Sequence, residues 1–227
     1  MVIGHGMLGR AFAAYADDDR FVIFASGIAN SLATDPASFA REHELFADVA
    51  RRLDRACLVY FSTLSVLEPG PPSAYVKHKL SMEDEVRRLA SYLVVRLPQV
   101  VGRSDNPATL VNFLVQRILS GDEFELWVDA RRNLIDVDDV VKIVGHILEN
   151  RSMRNDTVEI ASPFNLRAED LVHMIERILG KRAVARKVHA GHAPPIDIAR
   201  VLPLFAESGV YFPPDYVEQV LRKYLAR

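Results

Sequence analysis

The stretch Met1-Val2-Ile3-Gly4-His5-Gly6-Met7-Leu8-Gly9-Arg10-Ala11-Phe12-Ala13-Ala14-Tyr15 falls into three blocks. Met1 to Ile3 is apolar, Gly4 to Gly9 has glycine at its first, third and sixth places, and Arg10 to Tyr15 favours helix. The blocks predict strand, glycine turn and helix. Each glycine of such a turn has its own mechanical purpose: a tight reversal, the approach of a ligand to the backbone, and close packing of helix on strand. The helix N-terminus behind the turn attracts anionic charge, such as a diphosphate. Gly4, Gly6 and Gly9, with Met7 and Leu8 between the last two, are therefore candidate dinucleotide-binding residues.

Outward from this stretch, short apolar runs alternate with helical patterns. Phe21 to Phe24, Cys57 to Phe61 and Leu93 to Leu97 read as strands. They are apolar throughout rather than alternating, as strands covered on both faces are. A helix after Asp35-Pro36 carries the stripe Phe39, Phe46, Val49 and Leu53, and another starts near Ser73. Later helices are predicted around 110–119, from Asp138-Asp139 onward, over 168–179 and over 216–224, with strands at 124–128 and 157–160. Strands alternating with helices predict an α/β fold with a doubly wound parallel sheet. The expected division is a core over residues 1–150 and a smaller lobe over 151–227, to which residues 103–135 also contribute.

Composition narrows the function classes. The 227 residues carry 28 basic and 30 acidic side chains, so no global field draws the chain to nucleic acid or to an anionic membrane. A single cysteine, Cys57, excludes a disulfide framework and an all-cysteine metal site. The seven histidines are scattered, and His189 with His192 lacks a third ligand at a recognisable spacing, so no metal is expected. No apolar stretch approaches the ~20 residues that span a bilayer. A cytoplasmic protein with a small-molecule partner is the expectation. The basic run Lys181 to Lys187 lacks interleaved aromatics and reads as an exposed strand or turn.

Tyr75 and Lys79 are four apart on a predicted helix, hence on one face of it. An ammonium beside a phenol favours the phenolate and makes a tyrosine a usable general acid or base. Ser62-Thr63, at the C-terminal end of a preceding buried strand, stands where ligands bind in open parallel sheets. Hydroxyl, tyrosine and lysine in that order form a proton-transfer set.

Five stretches in order then carry a family likeness: the glycine turn, Tyr60-Phe61-Ser62-Thr63-Leu64-Ser65-Val66, Tyr75-Val76-Lys77-His78-Lys79-Leu80, Arg96-Leu97-Pro98-Gln99-Val100-Val101-Gly102, and Arg132-Asn133-Leu134-Ile135-Asp136-Val137-Asp138-Asp139. The sequence resembles the extended short-chain dehydrogenase/reductases, the NAD-dependent epimerase, dehydratase and reductase family that acts on nucleotide sugars. The resemblance implies a Rossmann-like sheet and a C-terminal substrate lobe, with NAD or NADP as cofactor and a nucleotide-sugar substrate. By analogy it also implies a homodimer. It implies that Thr63, or Ser62 in its place, hydrogen-bonds the reacting oxygen, that Tyr75 transfers the proton, and that Lys79 holds the cofactor ribose. Gln99 and Arg132 stand where the family contacts substrate, Arg132 at its diphosphate. Ser26 and Gly27 fall in the loop under the nicotinamide. Asp138 and Asp139 are assigned to helix capping.

The sequence departs from the family pattern between the glycine turn and Ser62-Thr63. Only Phe21 to Phe24 fits there, where the family has three strands. Its continuation resembles the family's fourth strand, so the second and third are expected to be missing, with the acidic residue that would hold the adenosine ribose. The alternative, Phe21 to Phe24 as the second strand, leaves Ser26 at the acidic place, compatible with a 2'-phosphate. Leu64 and Ser65 follow Thr63 where 4,6-dehydratases carry an acidic pair, so the resemblance favours keto-sugar reduction or epimerisation. The competing expectation is a catalytically silent relative that binds a sugar nucleotide or a protein partner.

Overall fold

The computed structural model describes residues 1–150 and 152–226. Its strands are β1 (Val2–Ile3), β2 (Phe21–Phe24), β3 (Cys57–Thr63), β4 (Tyr92–Leu97), β5 (Gln99–Val101), β6 (Phe124–Trp127), β7 (Arg131–Asp136), β8 (Asp156–Glu159), β9 (Asn165–Arg167) and β10 (Ala185–Val188). Its α-helices are α1 (Met7–Ala11), α2 (Pro36–Arg51), α3 (Ala74–Val86), α4 (Leu110–Ser120), α5 (Val137–Glu149), α6 (Ala168–Leu179), α7 (Leu202–Glu207) and α8 (Tyr216–Leu225).

The central sheet is parallel and five-stranded, in the order β1-β2-β3-β4-β8. Residues alternate between its faces, as the two-residue period of a strand requires. Val59 and Phe61 of β3 join Phe12, Ile143 and Val144 in one core, under α1 and α5. Leu58 and Tyr60 join Phe46, Met82 and Val86 in another, under α2 and α3. Both faces are covered, which explains the unbroken apolar runs. This is a Rossmann-like sheet.

β2 pairs with β1 through Val2↔Ile23 and with β3 through Phe21↔Cys57. A second strand of the family order would lie on the far side of β1, away from β3. The observed pairing therefore puts Phe21–Phe24 in the fourth-strand place and leaves β1 as the sheet edge. The reading of Phe21 to Phe24 as a second strand is excluded.

Local signals place the helices. Asp35 caps α2, accepting from Ala37 N and Ser38 N at 3.1 Å each, with Pro36 in the first turn. Ser73 Oγ accepts from Val76 N at 3.2 Å and starts α3. At α5 the cap is Asp136, accepting from Asp138 N at 3.0 Å; Asp138 and Asp139 occupy the first turn, where negative charge suits the macrodipole.

The smaller lobe has its own core, built from α4, α6 and α8 with the three-stranded unit β5-β7-β9 and the pair β10-β6. The expected division at residue 150 does not coincide with the change of layer. β8 completes the central sheet beside β4, and Val158 and Ile160 enter its core, while residues of β5, α4, β6 and β7 belong to the lobe. Pairing between strands distant in sequence decides this. Part of the basic run forms β10, where Lys187 Nζ meets Glu169 at 2.5 Å and Arg186 pairs with Glu125.

Candidate active site

The carboxyl ends of β1 to β4 point to one edge of the sheet, where the glycine turn, Ser26-Gly27, Ser62-Thr63 and Gln99 gather. Gly4 has φ of +118°, a conformation that side chains rarely adopt, and a Cβ there would strike the backbone of Ala25. A Cβ on Gly9 would strike Gly4 O, so α1 lies directly on the turn. Gly6 faces open space. The turn thus offers backbone at its rim, and nothing in its make-up opposes a diphosphate. Leu8 packs into the core under α1, and the Met7 side chain lies against Gly102. Met7 also lines a cavity of about 330 Å³ with residues 100–105, Asn112 and Tyr224.

Thr63 and Tyr75 come together. Thr63 Oγ1 accepts from Ser65 N at 3.1 Å, holding the turn after β3, and lies close enough to the Tyr75 hydroxyl to pull its pKa down. Tyr75 is 6% exposed. Burial pushes its hydroxyl up to about 12, against the opposing pull of Thr63 and with the Glu42 charge adding to the rise.

Lys79 is where the structure departs from the expected arrangement. The sequence spacing predicts an ammonium that draws Tyr75 toward phenolate. Instead Lys79 Nζ donates to Tyr60 Oη at 2.9 Å and to Glu42 Oε1 at 3.2 Å, and the residue is 2% exposed. Gly27 closes over it: a Cβ there would stand 2.6 Å from Nζ. The reason lies on α2. Glu42, 2% exposed, also accepts from Tyr60 Oη at 2.7 Å, His78 Nε2 at 2.9 Å and Ile28 N at 2.8 Å. Burial alone would raise the Glu42 carboxyl, but Lys79 and the hydrogen bonds from His78, Ile28 and Tyr60 outweigh it and hold the group at about 2.

Ser62 lies on the other face of β3 from Thr63. It faces α3, one residue out of phase with Thr63, and donates to Glu83 Oε1 at 2.6 Å. Glu83 also accepts from Arg96 Nε at 3.0 Å, Arg96 Nη2 at 2.8 Å and Arg87 Nη2 at 2.6 Å. Ser62 is thereby committed to a structural network. Gln99 shares with Thr63 a cavity of about 20 Å³, room for one water, also lined by Glu68, Arg131 and Asn133. Arg131 lines this cavity. Arg132 is half-buried near Glu68, its Nη1 donating to Arg131 O at 3.0 Å.

Glu42, Tyr60, His78, Glu83 and Arg96 escaped the sequence reading. A signal was present: Glu42 falls three residues after Phe39 and four before Phe46, inside the apolar stripe of α2. Likewise Glu83 follows Lys79 by four on the buried face of α3.

Solved structures share this fold. A dTDP-4-dehydrorhamnose reductase from Clostridium acetobutylicum superposes with a TM-score of 0.72 at 16% identity, covering 98% of this chain and 96% of that one. RMD from Pseudomonas aeruginosa, complexed with NADPH, gives 0.71 at 14%, covering 100% and 98%. UDP-glucuronic acid 4-epimerase from Bacillus cereus, in complex with UDP-glucuronic acid and NAD, gives 0.71 at 17%, covering 95% and 77%. At such identities the likeness is one of fold. No curated protein matches the sequence. The sequence model of the NAD dependent epimerase/dehydratase family matches residues 47–161, which is half of the chain and includes Thr63, Tyr75 and Lys79. The chain belongs to the NAD dependent epimerase/dehydratase family.

Proposed function

We propose that the protein is an NAD(P)-dependent oxidoreductase or epimerase of nucleotide-linked sugars, with Tyr75 as the group that exchanges the hydroxyl proton. The observation that carries this reading is the placing of the Thr63 hydroxyl near that of Tyr75 at the carboxyl end of β3, on the sheet edge that also bears the glycine turn. Gly4, Gly6, Met7, Leu8 and Gly9 would hold the diphosphate of NAD or NADP, and Ser26 and Gly27 would lie under its nicotinamide half. The bound nicotinamide would supply or accept the hydride.

Tyr75, kept protonated by burial, gives its hydroxyl proton to a keto oxygen as the carbon is reduced, and takes it back in the reverse direction. Thr63 Oγ1 orients the same oxygen. The lobe carrying Gln99 and Arg132 takes the nucleotide sugar, with Arg132 assigned to the diphosphate. Leu64 and Ser65 offer no acid for removing a proton at a neighbouring carbon, so reduction or epimerisation is favoured over 4,6-dehydration.

A second reading, a catalytically silent relative that binds a sugar nucleotide or a protein, is favoured by one observation: the Lys79 ammonium is spent on Glu42 and Tyr60. Calorimetry with NAD(H) and NADP(H), followed by turnover of keto-sugar nucleotides, separates the two. The enzyme reading expects micromolar binding and a Tyr75→Phe variant that binds equally well but turns over about 10²–10⁴-fold more slowly. Absence of binding to the millimolar limit, a gap of about 4 kcal/mol, supports the silent reading.

A further inference from the structure

A dinucleotide spans both sides of the first strand in sheets of the order 3-2-1-4-5-6, and its adenosine half lies over the second strand, where an acidic residue about 20 residues beyond the glycine turn holds the ribose. The elements that would build that side are replaced here by a short link. α1 ends at Ala11, Ala13–Tyr15 form one 3₁₀ turn, and residues 16–20 lead directly into β2. A further parallel strand would need a crossover of about a dozen residues or more, which this link cannot supply. β1 therefore ends the sheet. Met1 O and Ile3 O accept from Ile23 N at 2.9 Å and Ala25 N at 2.8 Å, so the peptide groups of Val2 face the other way, and among the described residues no strand pairs with that edge.

The residues that stand about 20 beyond Gly4, Phe24 to Ser26, are carried with β2 to the β3 side of β1, and the Ala25 backbone lies directly against Gly4. The acids Asp17, Asp18 and Asp19 precede β2 and so sit at the amino end of the sheet, opposite the glycine turn. Arg10, the cation on α1, directs its guanidinium to His5 O at 3.1 Å and Arg103 O at 3.0 Å. We propose that this site recognises only the nicotinamide mononucleotide half of its cofactor and leaves the adenosine half in solvent beyond the edge of β1. The inference rests on the reading of the glycine turn and the Thr63 edge as a nicotinamide site. It makes reduced nicotinamide mononucleotide (NMNH), NADH and NADPH equivalent ligands, because the adenosine meets no wall and its 2'-phosphate no partner.

The test is calorimetric titration of the whole chain with NMNH, NADH and NADPH at physiological ionic strength, where a screening length of about 8 Å suppresses distant charge effects. The three Kd values are expected to agree within about threefold, or about 0.7 kcal/mol. Saturation-transfer difference NMR on bound NADH gives a second readout that does not depend on affinity: the nicotinamide protons are expected to receive saturation and the adenine protons to receive almost none. A larger advantage of NADH over NMNH, a larger difference between NADH and NADPH, or strong saturation of the adenine ring overturns the proposal and leaves the nicotinamide reading standing. Absence of binding by all three to the millimolar limit removes both, so the two failures are told apart.

Discussion

Replacing Glu83 by glutamine tests whether the Ser62 network is structural. The Glu83 carboxylate is fully buried and accepts four hydrogen bonds from Ser62, Arg87 and Arg96. Removing one partner of a buried ion pair costs about 3–5 kcal/mol. Three features place Glu83→Gln at the lower end. Arg96 is 16% exposed and keeps Glu159 at 3.8 Å, Arg87 is 35% exposed and keeps Asp84 at 2.9 Å, and the glutamine retains one acceptor oxygen. The expected loss is about 3 kcal/mol, or about 6–12 °C in Tm for a chain of this size. Urea denaturation at neutral pH measures it as a lower midpoint at unchanged m-value. The pH dependence has a definite sign. Burial alone would raise the Glu83 carboxyl, but Arg96, Ser62 and Arg87 pull it below its ordinary value, so its stabilisation is present above the unfolded carboxylate pKa and is lost as pH falls through the folded one. The two proteins should therefore converge in stability in acid. A loss below about 1 kcal/mol at neutral pH, or a gap that widens in acid, refutes the reasoning.

Two further outcomes follow from the same geometry. Thr63→Val should lower turnover about tenfold or more with little change in nicotinamide affinity, whereas Ser62→Ala should leave turnover intact and cost about 1 kcal/mol of stability; steady-state kinetics and melting of both variants check the assignment, and equal kinetic defects would count against it. Gly27→Ala would place a Cβ 2.6 Å from Lys79 Nζ and 3.0 Å from Glu42 Oε1, so it should destabilise the fold by about 1–3 kcal/mol in a thermal melt. A wild-type melting temperature would mean that the ammonium is free to move aside.

Much of the fold was legible in the chain because the signals were local. Gly4 to Gly9 between an apolar triplet and a helical block, the apolar runs at Phe21–Phe24, Cys57–Phe61 and Leu93–Leu97, and the signals at Asp35 and Ser73 each depend on neighbours a few residues away. The pairing of Thr63 with Tyr75 was also legible, through order and spacing. The short strands Gln99–Val101, Arg131–Asp136 and Asn165–Arg167 were not, since three to six residues carry too little periodicity and are held by partners far along the chain.

The sequence by itself determined the class of fold and the family, and it named the residues proposed for proton transfer. Tertiary structure alone decided three matters. The place of Phe21–Phe24 depended on which strands it pairs with, and pairing with both β1 and β3 made it the fourth-strand equivalent. Which of Ser62 and Thr63 is held by Glu83 depended on which sheet face each occupies at the strand end. The state of Lys79 depended on a carboxylate 37 residues earlier in the chain, and charges interact through space at a strength set by distance and burial, which spacing along a helix does not encode.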